Sequence, residues 1–159
     1  MRISLRWLAL LAIPILAAAC DDSQTEPGDD PLSLETLAQT SSAGFPTPSQ
    51  EVIRTEDDWT QVWETLYSGQ RPQPSRPAID FDRQMVVLAA GGPGNGCFQV
   101  EITRAMRKAD GSLEVEVTNT EPGPTCVCTE QLIQPVHVVR LERVEGPERF
   151  MLRRQQLNC

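Results

Sequence analysis

The cysteines are the residues of this 159-residue chain whose chemistry is most distinctive. A thiol can be acylated, oxidised to a disulfide or, as a thiolate, bind zinc. One cysteine stands near the N-terminus and four lie in the second half of the chain: Cys20, Cys97, Cys126, Cys128 and Cys159. The segments around each cysteine indicate which of these chemistries it performs.

Cys20 ends a segment whose order is basic, then apolar, then small. Arg2 and Arg6 precede an apolar run over residues 7–16, and three alanines at 17–19 lead to the cysteine. This order is typical of a bacterial export signal. The apolar run is also shorter than the roughly 20 residues that a membrane-spanning helix needs.

A cysteine directly after the small residues resembles the lipobox of bacterial lipoproteins. The resemblance implies that residues 1–19 are a lipoprotein signal peptide and that Cys20 carries lipid after cleavage. The protein is therefore predicted to be anchored in a membrane of the cell envelope through N-terminal acyl chains, on the periplasmic face or the outer surface.

The other four cysteines are predicted to form two disulfides, because exported proteins fold in an oxidising compartment. A bond between Cys126 and Cys128 would close a strained, very small ring. Two pairings stay open: Cys97–Cys126 with Cys128–Cys159, or Cys97–Cys128 with Cys126–Cys159. A zinc site built with His137 is disfavoured, since Cys126-x-Cys128 is closer than the usual ligand spacing. We predict no metal and no cofactor.

His137 is the one histidine of the chain. It stands between Val136 and Val138 on an alternating segment, which puts it on the face opposite these valines and predicts a surface or edge position. No Gly-x-Ser-x-Gly elbow or comparable nucleophile motif accompanies it. We therefore predict that the protein is not an enzyme and has no catalytic residues.

Acidic residues are concentrated ahead of the predicted globular part. Residues 21–50 contain six acidic residues, no Lys or Arg, and many Ser, Thr, Pro and Gly. We therefore predict residues 20–50, starting at the lipidated cysteine, to be a disordered acidic tether. The whole chain has a formal net charge of −8 and no basic stripe, which argues against nucleic acid as a partner.

Residues 51–159 are predicted to form a single globular domain that begins with a helix. Thr55 and Asp58 make a capping-box-like pair, and the apolar residues that follow have helical spacing: Trp59, Val62, Trp63 and Leu66. From Ile79 onward the pattern is that of strands, with turns at Asn95-Gly96 and Asp110-Gly111. The predicted fold is α+β, mainly β, with one N-terminal amphipathic helix packed on a five- to six-stranded antiparallel sheet or small sandwich.

The order of motifs in this domain resembles that of the PrcB family. The motifs are Trp59-x-x-x-Trp63, Ile79-Asp80-Phe81-Asp82, the apolar strand from Met85, Gly91-Gly92, Gly96-Cys97-Phe98, Cys126-x-Cys128 with Gln131, and Pro135-Val136-His137-Val138-Val139. The resemblance covers roughly residues 79–142, with the helix as a weaker extension. The family's C-terminal domain takes its name from a small lipoprotein subunit of a surface protease complex. The resemblance thus implies a PrcB-like domain with an accessory or stabilising role beside a protease.

The glycine-rich stretch after the strand from Met85 is the predicted partner-binding site. It lacks the Gly-Lys-Ser/Thr ending of a phosphate loop, and loops at one edge of a β scaffold commonly carry binding. The predicted contact residues are Gly92, Gly94, Asn95, Gly96 and Phe98. The predicted function is that of a non-enzymatic envelope lipoprotein that binds or stabilises a partner protein, with a protease as one candidate. The alternative is a protease-inhibitor-like or small-ligand-binding module that uses the 91–98 loop.

Overall fold

The secondary structure is mainly β. The structure is a computed structural model that describes residues 28–41 and 43–159; the predicted signal peptide and Cys20 lie outside them. Within the described residues one helix follows the third of eight strands: β1 Asp30–Leu32, β2 Glu35–Thr40, β3 Ser49–Ile53, α1 Glu56–Leu66, β4 Gln84–Ala90, β5 Gln99–Arg107, β6 Leu113–Pro122, β7 Val136–Glu142 and β8 Glu148–Leu157. In this part of the chain no helix is long and apolar enough to cross a bilayer.

The strands form two four-stranded sheets that pack face to face. The first sheet has the order β1-β5-β6-β8 and the second the order β2-β7-β4-β3. Neighbours are antiparallel except for β6 and β8, which run parallel. A buried apolar layer joins the sheets, and its members come mainly from the four inner strands: Met85, Val87, Ala89, Val100, Ile102, Leu113, Val115, Val117, Val139 and Leu141.

Helix α1 covers the outer face of the second sheet. Its predicted apolar stripe is confirmed, because Trp59, Val62, Trp63 and Leu66 are all buried there. Thr55 caps the helix by accepting a hydrogen bond from the Asp58 amide at 3.2 Å. The two indole N–H groups donate to carbonyls of the proline-rich segment that follows the helix, Trp59 to Pro77 and Trp63 to Pro74, both at 3.0 Å.

The predicted architecture, an N-terminal helix on five or six antiparallel strands, is wrong. Three strands precede α1, and the described residues form two sheets of four strands with one parallel pair. The apolar run of β4 explains the second layer. Val86 and Leu88 face the helix while Met85 and Val87 face the first sheet, so β4 needs an apolar partner on both sides.

The predicted tether is also wrong for residues 30–32 and 35–40, which form β1 and β2. Leu32 and Leu34 pack against the layer between the sheets. Acidic residues of this segment pair with cations on or next to the core strands, Asp29 with Lys108 after β5 and Glu35 with Arg140 on β7. A few leucines therefore suffice to fix this segment, because neighbouring strands supply hydrogen bonds and opposite charges.

The two predicted turns have different outcomes. Asp110-Gly111 does join adjacent antiparallel strands, with Gly111 at φ 79° and its amide donating to the Lys108 carbonyl at 2.8 Å. Asn95-Gly96 does not make a hairpin, since β4 and β5 belong to different sheets. Residues 91–98 instead carry the chain across the end of the sandwich.

Candidate binding surface

Residues 91–98 and 123–135 lie side by side at one end of the sandwich, and we call them together the loop face. Gly94 and Ile133 exchange two backbone hydrogen bonds of 2.9 Å, and the Gly96 amide donates to the Thr129 carbonyl at 3.1 Å. Both segments connect a strand of one sheet to a strand of the other. The fold thus brings together two loops that are far apart in the sequence.

Two disulfides fix the loop face covalently. Cys97–Cys128 joins its two segments, and Cys126–Cys159 ties it to the residue that follows β8 by two positions. The prediction of two disulfides is confirmed, and of the two open pairings the structure has the second. Bonds that close loops of 31 and 33 residues are each worth about 3–4 kcal/mol by the chain-entropy estimate.

Glycines make room for the ring of Phe98. A Cβ on Gly91 would lie 2.8 Å from Phe98 Cε1, and a Cβ on Gly94 would overlap the ring even more severely. Real Cβ atoms essentially never approach so closely. The half-buried ring therefore occupies the space that side chains at 91 and 94 would need, and it fixes the course of the loop.

The remaining predicted contact residues also shape the loop. Gly92 is buried against Pro48 at φ 71°, a left-handed conformation that favours glycine. The side-chain oxygen of Asn95 accepts a hydrogen bond from the Cys97 amide at 3.2 Å, and the backbone carbonyl of Asn95 accepts one from the Phe98 amide at 3.0 Å. Gly96 lies directly against Thr129. Only Asn95 and Gly96 of the predicted set are exposed.

The largest exposed apolar side chains of the loop face belong to the other segment and are not predicted from the sequence. Val127 is 99% exposed and Leu132 is 71% exposed. The signal for Val127 is its place between Cys126 and Cys128. Because both cysteines direct their sulfurs into disulfides, the residue between them is left to project outward.

A shallow depression of about 370 Å³ adjoins Phe98 on the loop face. It is lined by the glycine-rich loop and the end of β6: Gly91, Pro93, Gly94, Asn95, Phe98, Glu121 and Pro122. A smaller one of about 170 Å³ also contacts Phe98 and is lined by Gln99, Pro135 and the end of β2. The larger depression is at the lower end of the size range of small-molecule sites.

His137 is buried, so the predicted surface or edge position is wrong. Its Nδ1 accepts from the Ile102 amide at 2.9 Å, and its Nε2 lies 3.0 Å from Thr36 Oγ1. Because an amide can only donate, the ring is neutral with its proton on Nε2, which donates to Thr36. Burial lowers the pKa of His137, and Glu101 opposes that shift. The ring joins three strands, β2, β5 and β7, across both sheets.

Cysteine binds zinc as a thiolate. Cys97, Cys126, Cys128 and Cys159 are all in disulfides, so none of the four is a thiolate here. Within residues 28–41 and 43–159, no group of three or more His, Cys, Asp or Glu side chains could hold a metal ion. What the loop face presents is a fixed backbone with exposed apolar side chains and shallow depressions beside Phe98.

The fold and the loop face define a β-sandwich that carries disulfide-bonded loops at one end. The family model described as PrcB C-terminal matches residues 84–142, which run from the start of β4 to the end of β7. The chain therefore contains a PrcB-like domain, as the resemblance predicts. No curated protein and no solved structure matches the chain. The matched segment contains the whole loop face, whereas β1, β2, β3, α1 and β8 lie outside it.

Proposed function

We propose that the protein is a membrane-anchored, non-enzymatic lipoprotein of the bacterial cell envelope that binds or stabilises a partner protein through the loop face. An envelope protease is the first candidate partner. The observation that carries the proposal is the exposure of Val127 and Leu132 on a surface that disulfides hold in place.

Exposed apolar side chains on a fixed backbone suit protein binding for two reasons. Covering them removes apolar surface from water, which contributes about 25 cal/mol per Å². The disulfides have already restricted the loops, so little further conformational entropy is lost on binding. The PrcB-like segment, which contains these loops, is consistent with the accessory role that the family resemblance implies.

A photo-crosslinking experiment tests the proposal. The full chain is expressed in its own host with a photo-reactive side chain at position 127, 132 or, as control, 152. Leu152 is a matched control because it is also an exposed leucine, 58% exposed, but lies on β8. Positions 127 and 132 should crosslink to the same envelope protein and position 152 should not. Equal labelling from all three positions, or none, would refute the loop face as the binding surface.

The anchor is tested separately by the intact mass of the mature protein extracted from membranes. Cleavage before Cys20 and acylation of that residue should give a mass that includes the acyl chains. A Cys20→Ser variant should lose the acyl mass and leave the membrane fraction. An unmodified Cys20 in membrane-extracted protein would contradict the lipid anchor and leave the loop-face proposal standing.

A second candidate function, that of a protease-inhibitor-like module, is favoured by the shape of the Cys126-Val127-Cys128 segment. A projecting side chain between two disulfide cysteines can enter an active-site cleft with little loss of entropy. Adding the purified full chain to the crosslinked protease distinguishes the two functions. A stabilising partner leaves the turnover of a peptide substrate intact or raises it, whereas an inhibitor lowers it, and Val127→Asp should then restore it.

A further inference from the structure

A second surface lies along β3, remote in sequence from the loop face. β3 is the last strand of the second sheet, and within the described part of the chain it pairs with β4 alone. Its other edge therefore presents backbone N–H and C=O groups without strand partners. Four consecutive residues of β3, from Gln50 to Ile53, line a groove of about 390 Å³ beside that edge.

The walls of the groove come from two other elements. Asp58, Gln61 and Val62 of α1 form one wall, and Glu148 at the start of β8 forms the other. Arg54, directly after β3, pairs with Glu148 at 3.1 Å and donates to the Val144 and Gly146 carbonyls. This contact holds the start of β8 beside the end of β3, at one end of the groove.

The charge of the groove has one sign. Its charged lining residues are Glu51, Asp58 and Glu148. Glu148 is partly neutralised by Arg54, and Asp58 accepts from the Thr55 hydroxyl at 2.6 Å. Glu51 is exposed and has no cationic partner among the described residues. The lining therefore favours positive charge beside the free strand edge.

We propose that this groove binds an extended, positively charged peptide segment of a partner protein, which adds to the second sheet as a strand beside β3. Strand addition gains affinity from main-chain hydrogen bonds, and alternate side chains supply the specificity. In this groove one set of side chains would meet the carboxylates of Glu51 and Asp58. The other set would lie against Val52.

This inference is independent of the loop-face proposal. The residues that line the groove all lie outside residues 84–142, the PrcB-like segment. A failure of crosslinking at position 127 with peptide binding intact would remove the proposed function and leave the groove. The opposite result would remove the groove alone.

The test uses the isotope-labelled full chain in detergent and a blocked peptide of about seven residues in which Lys and Val alternate, long enough to cover β3. The control peptide alternates Glu and Val. The Lys peptide should bind, the Glu peptide should not, and added salt should weaken binding. The outward-facing amides of β3 should exchange more slowly with solvent once the peptide is bound. Protection of other strands and not of β3 would overturn the proposal.

Charge reversal at Glu51 sharpens the test. Glu51→Arg should weaken binding of the Lys peptide about tenfold, which corresponds to about 1.4 kcal/mol. Glu64→Arg is the matched control. Glu64 is exposed, as Glu51 is, but it lies on α1 and does not line the groove. Equal affinities in the two variants would overturn the proposal. So would self-association of the full chain that Glu51→Arg abolishes, since the occupant would then be a second copy.

Discussion

The loop face and the β3 groove are the two surfaces through which we propose that this small domain binds a partner. The loop face is covalently fixed, presents apolar side chains and lies within the PrcB-like segment. The groove presents a backbone edge flanked by carboxylates and is built from elements outside that segment. The first depends on side-chain shape and on the oxidation state of cysteines, and the second on main-chain hydrogen bonding and on charge. Reductant and salt should therefore act on different surfaces.

The largest expected effect is the loss of the Cys97–Cys128 bond. The double variant Cys97→Ser with Cys128→Ser should lower the free energy of unfolding by about 2–5 kcal/mol. Without the bond, the 31-residue loop that it closes is no longer restricted in the unfolded chain, whose conformational entropy therefore rises. Urea unfolding of the two proteins measures the difference. Crosslinking at position 127 should fall, whereas Lys-peptide binding should be retained under conditions where both proteins are folded. Equal losses at both surfaces would show that they are not independent.

The next largest effect concerns the contact between Phe98 and Gly94. Phe98→Ala removes a half-buried ring and should cost roughly 2 kcal/mol of stability, about half the cost for a fully buried Phe. Gly94→Ala should cost roughly 1–3 kcal/mol, because the new Cβ pushes against that ring.

A double-mutant cycle tests whether the two residues act through one another. In the Phe98→Ala background the Gly94→Ala substitution should cost less than about 0.5 kcal/mol, since the obstacle is gone. Strictly additive costs would show that Gly94 is needed for some other reason than room for the ring.

A smaller effect is expected from pH, through the histidine that joins the sheets. The imidazole of His137 takes up a proton near pH 6.5 in the unfolded chain, whereas burial lowers the pKa of His137 in the folded chain. Below pH 6.5 the unfolded state then holds more protons, so stability falls as the pH falls towards the lowered value. Urea unfolding between about pH 7.5 and about pH 5.5 measures this slope.

His137→Gln is the control for the pH dependence. Since the chain has a single histidine, the variant should show a flatter slope over the same range. An unchanged slope would assign the pH dependence to carboxyl groups. The contact between β5 and β7 would then be independent of the protonation state of the ring.

The smallest effect is expected at the β8 end of the groove. Glu148→Gln removes the ion pair with Arg54, which is partly exposed, and should cost less than about 1 kcal/mol. Thermal unfolding measures this cost. Lys-peptide binding should weaken less than in Glu51→Arg, because Arg54 already neutralises much of the Glu148 charge. A greater loss of binding than in Glu51→Arg would place the peptide's charge at the β8 end.

The features predicted correctly from the sequence are those whose signals are local. Helix α1 follows from the spacing of Trp59 and Trp63 and the Thr55 cap, and the β5–β6 turn from Asp110-Gly111. The number of disulfides follows from four cysteines and a predicted export signal. The pairing does not, because Cys126 and Cys128 are only two residues apart and the choice depends on where β8 ends.

The features that sequence reasoning missed depend on neighbouring layers. His137 does lie on the opposite face of β7 from Val136, as the alternation predicts. The first sheet, however, covers that face and buries it, so it is not exposed to solvent. Asn95-Gly96 is a good hairpin sequence, but β3 and β7 already pair with the two edges of β4. The next strand, β5, therefore cannot pair with β4, and the chain crosses to the other sheet. Glu35 and Ala38 resemble linker residues in the sequence, but β7 supplies both with partners, Arg140 and Val138.

If Cys20 carries the proposed lipid, the early start of β1 limits how far the domain can stand from the membrane. Asp30, the first residue of β1, is only ten positions after Cys20 in the sequence. Ten residues span at most about 35 Å when fully extended, against about 100 Å for thirty. So short a linker would keep the domain within a few tens of ångströms of the bilayer surface. A partner would then have to bind the domain close to the lipid head groups.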